Sequence, residues 1–531
     1  IKINYVASVI LFVRILSVFL VQTWYVPDEY WQTLEVAHKQ VFGYGALTWE
    51  WQQGIRSYLY PSVVAALYTL LKYTGLDYPE ALILLPRILQ AVISTAADYS
   101  FYKWTGNRKW ALFLVLTSWF WFYTSGRTLL QTLETALVAI ALSVFPFKAG
   151  NPQWLWLAVL SVFVRPTSAP LWAVLGAYNL LTTNQGRLKL FVRTYVPIAL
   201  IAGGALVALD SYFYGRLIVT PWEFFRFNVL HDIASFYGQH PCCPLITVCF
   251  SFIPHKEFRF VLPLLPIFMY LVQDVIVPWS RKATKIHLYL VAGLILVGNL
   301  VPAAYFGVVH QAGSLQVMPL LRDAATNRSA ITFLMPCHST PLYSHLHLNI
   351  STRYLRCDPP LNSTGGTTEA EAFFNNPQRW WRTEHANRQT PDLVVLFDRL
   401  KGRVDSLLTG YKLIHEIPHT QVNTSLNHQL PSQIEKKNKV AALALTIPLG
   451  KSGSWNKLSD SLIVWLVPNL VSEFYAAHGP LTWLYMPSRN ISQAGFLTMF
   501  PFAGANENEI RSACLGFELE TYDLTVRRSH H

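Results

Sequence analysis

The sequence predicts an all-α polytopic membrane protein with a lumenal C-terminal region of mixed α/β character. Three observations lead there. Only 14% of the 531 residues are charged and 52% are hydrophobic, against about 25% charged in an ordinary soluble domain. Apolar runs of membrane-crossing length recur through the first 310 residues, and 18 Trp and 26 Tyr suit the aromatic belts of a bilayer interface. After about residue 310 the chain turns polar and carries sequons at Asn327, Asn349, Asn362, Asn423 and Asn490. Clustered sequons mark a region exposed to the glycosylating, lumenal side.

A spanning helix needs about 17–25 apolar residues. Segments 5–25, 58–75, 81–102, 110–126, 128–147, 154–181, 194–214, 258–278 and 286–309 meet that length. The first contains Arg14 and no small-residue cleavage site, so it reads as a retained helix rather than a signal peptide. Arg87, Arg127 and Arg165 lie within apolar stretches, and Arg165 precedes a proline. A buried Arg is costly unless it faces protein or water, so these helices surround something polar.

Loop WSRKATK, with Arg281, Lys282 and Lys285, is expected on the cytosolic side. Helix 286–309 then leads into the lumen, which places HKEFRF, His255 to Phe260, on the lumenal side. The loop at 23–57 joins it there if the N-terminus is cytosolic. The expected organisation is a multi-span catalytic domain at 1–309, a lumenal domain at 310–430, and an atypical, partly disordered tail at 431–531. Lys and Arg outnumber Asp and Glu by 42 to 30. In such a chain that excess fits topology and anionic lipid or phosphate partners, not nucleic acid.

Two stretches could carry chemistry. In VPDEYWQ, Pro27-Asp28 opens an interfacial helix. Asp28 reads either as a helix cap, with Glu29 a first-turn dipole partner, or as a general base at the membrane face. The two roles are compatible. In HKEFRF, His255 and the fixed cations Lys256 and Arg259 either snorkel at the lipid surface or bind a phosphate, with Glu257 orienting them or adding a second carboxylate. Arg127, Arg165 and Glu134, which lies seven residues after Arg127, read as internal ion pairs or substrate contacts. The histidine spacing of CHSTPLYSHLH fits no common zinc pattern. Cys337 and Cys357 are expected to form a disulfide in the lumen, with no metal bound. Cys242, Cys243 and Cys249 remain unassigned. Neither a P-loop nor a dinucleotide fingerprint occurs, so a sugar donor would be lipid-linked.

VPDEYWQTLEVAH, YGALTWEWQQGIRSYLYP, GRTLLQTLET, FYGQHP, HKEFRFVLPLLPI and MPCHSTPLYSHLH, in that order, closely resemble the GPI mannosyltransferases of the PIG-B type. These enzymes belong to the GT-C superfamily and add the third mannose. The resemblance spans about residues 5 to 420. It implies a GT-C transmembrane bundle in the endoplasmic-reticulum membrane, with its active site facing the lumen and no cofactor. It implies inverting α1,2-transfer from dolichyl-phosphate mannose to the GPI precursor lipid. Asp28 would be the base, with Glu29 the second choice, and His255, Lys256 and Arg259 would engage the donor phosphate. Gln32, Glu50, Arg56, Arg127 and Arg165 would be further substrate contacts. The resemblance departs between FYGQHP and HKEFRF, where only CCPLITVCFSFIP intervenes, and again after about 430. The nearest rival is a sister enzyme of dolichol-linked N-glycan assembly or of the fourth GPI mannose. A noncatalytic lipid transporter or membrane subunit would not explain a carboxylate pair facing a basic segment.

Overall fold

The computed structural model describes residues 5–146, 152–183, 186–233, 258–359, 367–385, 390–420 and 438–445. Its first part is a bundle of apolar helices. Four runs are long and apolar enough to cross a bilayer: Pro79–Trp104, Arg187–Tyr214, Arg259–Lys282 and Lys285–Ala324. Other expected spans are shorter. Tyr5–Leu20, Leu130–Ser143 and Gln153–Val164 are apolar but below that length. Segment 110–126 divides at Ser118 into Lys109–Thr117 and Trp119–Thr124, and the Ser118 hydroxyl accepts from the Trp121 N–H. Segment 154–181 breaks at Arg165-Pro166 into Gln153–Val164, a 3-10 turn at Pro166–Ser168 and Ala169–Thr182, as a proline without an N–H dictates.

Helix sides follow composition. In Tyr5–Leu20 the buried residues are Ile10, Arg14, Ser17 and Val18, one face at helical spacing. Arg14 is buried because Asp98 accepts its Nε at 2.6 Å and the Val115 carbonyl accepts another N–H at 2.9 Å. The Pro79–Trp104 helix packs against both Tyr5–Leu20 and Leu130–Ser143. The latter is buried along most of its length and forms the centre of the bundle. Lys285–Ala304 has no buried residue and exposes Leu290, Leu294, Val297 and Leu300, a surface suited to lipid.

The second part is a five-stranded mixed sheet. Its strands are β1 (Ala330–Leu334), β2 (Ser351–Tyr354), β3 (Leu393–Phe397), β4 (Tyr411–Thr420) and β5 (Asn438–Leu445), in the order β2-β1-β3-β5-β4. β1 pairs in parallel with β2 and β3, while β5 runs antiparallel between β3 and β4. The sheet therefore runs past the boundary expected at residue 430. Strand alternation sorts the core into two faces. Ile331, Phe333, Leu393 and Val395 pack on Val317, Met318 and Leu321 of the Gly313–Ala324 helix and on Trp31 and Leu34 of the opening loop. Leu334, Val394 and Leu396 pack on Phe373, Phe374, Trp380 and Leu400. The loop at 23–57 is thus seated between the apolar helices and the sheet. A Cys337–Cys357 disulfide, with a Cα–Cα distance of 5.9 Å, ties the segment after β1 to the segment after β2.

Candidate active site

The two adjacent carboxylates of the opening loop have different fates. Helical turns begin at Asp28 and widen into a π turn at Tyr30–Leu34 before the Glu35–Phe42 helix. Such turns are frequent at functional sites because they redirect side chains. Glu29 points into the bundle, where Arg127 donates to it at 2.8 Å and both side chains are 1% exposed. Arg127 also donates to the carbonyls of Thr23 and Tyr123 and lies 4.2 Å from the Tyr123 ring centroid. That network clamps the start of the loop. The sevenfold spacing of Arg127 and Glu134 does not make a pair. The helix carrying Glu134 begins at Leu130, after Arg127, so the two do not share one helical face. Glu134 instead accepts from Arg165 at 3.0 Å.

Asp28 faces the other way. Its carboxylate lies 2.8 Å from the Arg259 guanidinium and keeps 19% of its side-chain surface exposed. Arg259 occupies the start of a 3-10 segment, Phe258–Leu264, that leads into the Leu265–Lys282 helix. The Phe260 ring lies beside Arg259 at 5.6 Å and Arg165 at 5.2 Å. Arg56 donates to Glu50 at 2.6 and 3.1 Å, and Gln32 donates to the other Glu50 oxygen at 3.4 Å. Asp210 fixes the adjacent backbone by accepting from Ser57, the Tyr58 N–H and Thr220. The charges of Asp28, Arg56, Arg165 and Arg259 interact with one another. The structure therefore gathers Asp28, Gln32, Glu50, Arg56, Arg165 and Arg259, and sends Glu29 and Arg127 into a separate buried pair. His255 and Lys256 lie outside the described residues, as do Glu257 and Cys242, Cys243 and Cys249.

The third wall comes from the sheet region. Trp31 donates its Nε1–H to the Thr340 carbonyl at 3.0 Å and packs its ring 4.5 Å from His338 and 4.8 Å from Tyr354. Glu35, one turn further along, accepts from the N–H groups of Leu342, Tyr343 and Ser344 at 2.8–3.1 Å and from the Ser344 hydroxyl at 2.6 Å. Burial raises the Glu35 carboxyl above its ordinary range, and these hydrogen bonds oppose the rise. His338 feels the Asp28 charge, yet burial holds its imidazole down at about 4, so it is neutral. Sequence reasoning missed Glu35 and, with a metal site set aside for CHSTPLYSHLH, gave His338 no role. A carboxylate among apolar neighbours in TLEVA was a usable signal for Glu35; nothing local marked His338.

Asp28, partly exposed and rigidly mounted, can accept a proton from a hydroxyl. Arginines beside it can hold and stabilise an anionic leaving group. A profile of the Alg9-like mannosyltransferase family matches residues 5–247 and 243–347. The two matches meet inside the stretch where the resemblance departs. GPI mannosyltransferase 3 of Drosophila melanogaster is 44% identical over 474 residues, covering 79% of this chain and 84% of that protein. GPI alpha-1,2-mannosyltransferase 3 of Danio rerio is 38% identical, covering 77% and 86%, and its Homo sapiens counterpart is 34% identical, covering 77% and 83%. The crystal structure of ArnT from Cupriavidus metallidurans bound to undecaprenyl phosphate is similar with a TM-score of 0.44 at 12% identity, covering 82% of this chain and 97% of that one. On the family profile and these relatives, the chain belongs to the Alg9-like mannosyltransferase family.

Proposed function

We propose that this chain adds the third mannose to the GPI precursor, in α1,2 linkage, from dolichyl-phosphate mannose at the lumenal face of the endoplasmic-reticulum membrane. The observation that carries the mechanism is the contrast between Asp28, accessible beside Arg259, and Glu29, buried on Arg127. The names of the relatives support a GPI acceptor, a transferred mannose and the α1,2 linkage, while the dolichyl-phosphate donor rests on the family resemblance. The donor is a β-linked phosphomannose and the product α-linked, so one displacement suffices. An acceptor hydroxyl attacks the anomeric carbon, Asp28 takes its proton, and the bond to the phosphate oxygen breaks. Dolichyl phosphate leaves with the electron pair, its charge met by Arg259 together with the neighbouring His255 and Lys256. The site lies between apolar helices and a polar domain, where the sugar heads of two lipids can meet.

The test uses membranes of cells lacking the third-mannose step, with this chain expressed in them. Supplied with dolichyl-phosphate mannose, the two-mannose GPI lipid should gain one mannose that α1,2-mannosidase removes. No gain, from protein shown to be present and able to bind donor, would overturn the assignment.

A further inference from the structure

We propose that His338 is an acceptor-binding residue whose imidazole holds the hydroxyl-bearing acceptor sugar against Asp28. This rests on the reading of Asp28 as the base. His338 is placed by anchors on both sides. Cys337, its neighbour, is tied to Cys357. Trp31 binds the Thr340 carbonyl, and Glu35 gathers residues 342–344. Trp31 and Glu35 belong to the same stretch of helix that carries Asp28, so the loop and the base are mounted on one support.

The backbone at His338 has φ +62°. Glycine would serve such a turn without strain. The imidazole is additional to what the turn requires, and strained residues of this kind cluster at ligand clamps. One side of the ring is covered by Trp31 at 4.5 Å and Tyr354 at 5.7 Å, while the residue stays partly exposed. Among the described residues no side chain or carbonyl hydrogen-bonds its ring nitrogens.

The chemistry follows from the charge state. A neutral imidazole offers one N–H donor and one acceptor nitrogen, which matches a sugar hydroxyl and does not match a phosphate. The cations of the site, Arg259, Arg165 and Arg56, come from the bundle and the end of the opening loop, whereas His338 comes from the sheet region. The two chemistries thus reach Asp28 from different parts of the fold: cations for the leaving phosphate, a neutral ring for the attacking alcohol.

The experiment measures initial rates with purified protein, varying dolichyl-phosphate mannose and the two-mannose GPI lipid separately. His338→Gly removes the ring and accepts the φ without strain. It should raise the acceptor KM about tenfold, the effect of one lost hydrogen bond, with the donor KM unchanged. Added imidazole should recover part of that loss. His338→Asn, which tolerates the same backbone and keeps a donor and an acceptor, should lie between. An unchanged acceptor KM, or a rise in the donor KM alone, overturns the proposal. If the glycine variant does not fold, the asparagine variant with its own acceptor KM decides. Asp28→Asn is assayed in parallel. Turnover by that variant removes the base reading, while a dead Asp28→Asn beside a normal His338→Gly removes only this inference.

Discussion

The Asp28 carboxylate and the Arg259 guanidinium lie 2.8 Å apart, joining the opening loop to the segment that begins the Leu265–Lys282 helix. The carboxylate oxygen that would receive a proton is therefore engaged by the cation that would receive the phosphate. On the proposed mechanism, a donor phosphate would compete for Arg259 and release that oxygen. Binding should be ordered, with the donor first.

Initial-rate kinetics check this order. Dolichyl phosphate should compete with the donor and not with the acceptor. Arg259→Ala should weaken donor use about tenfold to a hundredfold, since hydrogen bonds to charged groups contribute roughly 1.5–3 kcal/mol. Unchanged donor saturation in that variant would remove Arg259 from phosphate binding.

Asp28 and Glu29 should fail in different ways when neutralised. Asp28→Asn should lower turnover by about a hundredfold to ten-thousandfold, the range of general base catalysis, in protein of normal stability. Glu29→Gln leaves Arg127 buried without its counter-charge, which costs about 3–5 kcal/mol, so it should reduce folded yield first. Thermal unfolding and turnover measured on both variants separate the two. Equal stability losses would contradict the division of roles.

The helical bundle was legible because apolar runs of sufficient length have few other uses, and the break at Arg165-Pro166 was legible from the proline. The split at Ser118 was not, because a single serine in an apolar run carries no decisive signal. Asp28, Arg259 and the residues around Glu50 could be picked out by type. Their pairing could not: Glu29 meets Arg127 across 98 residues and Glu35 meets Leu342 across 307, distances over which local periodicity is silent. Asp28 and Glu29 are neighbours in a helical turn and so point about 100° apart, and propensity does not encode which of the two faces the site. A strand at Asn438–Leu445 lay inside the region expected to be an atypical tail because its partners, β3 and β4, precede it and only the sheet reveals the match.

Acid should loosen the contact between the opening loop and the sheet region. Burial lowers His38 and His345 to about 3, helped by His347 at 3.0 Å from His38 and by Arg87 and Arg322 near His345. Both are neutral when folded and charge on unfolding near the ordinary value of about 6.5. The unfolded chain then binds more protons, so stability is full above about pH 6.5 and falls as pH drops toward the folded values, by about 1.4 kcal/mol per pH unit for each histidine. The unfolding temperature in detergent should fall from pH 7.5 to pH 5. His38→Asn with His345→Asn should flatten the profile, and a flat profile in the unaltered protein would contradict it.

Two fasteners hold the loop that carries His338, and they should not be equivalent. The disulfide closes a sequence separation of 20 residues, so its removal costs about 3 kcal/mol through the unfolded chain. The folded loop stays held by Trp31 and Glu35, and Cys337→Ser with Cys357→Ser should retain most turnover. Glu35→Ala leaves three backbone N–H groups and a hydroxyl without their acceptor, each costing about 1–3 kcal/mol if it stays buried. That variant should lose both stability and turnover. Because both act on one loop, the triple variant should lose more turnover than the separate effects predict. Unfolding and initial rates on all three decide it: strict additivity would mean that the two fasteners act on independent parts of the fold.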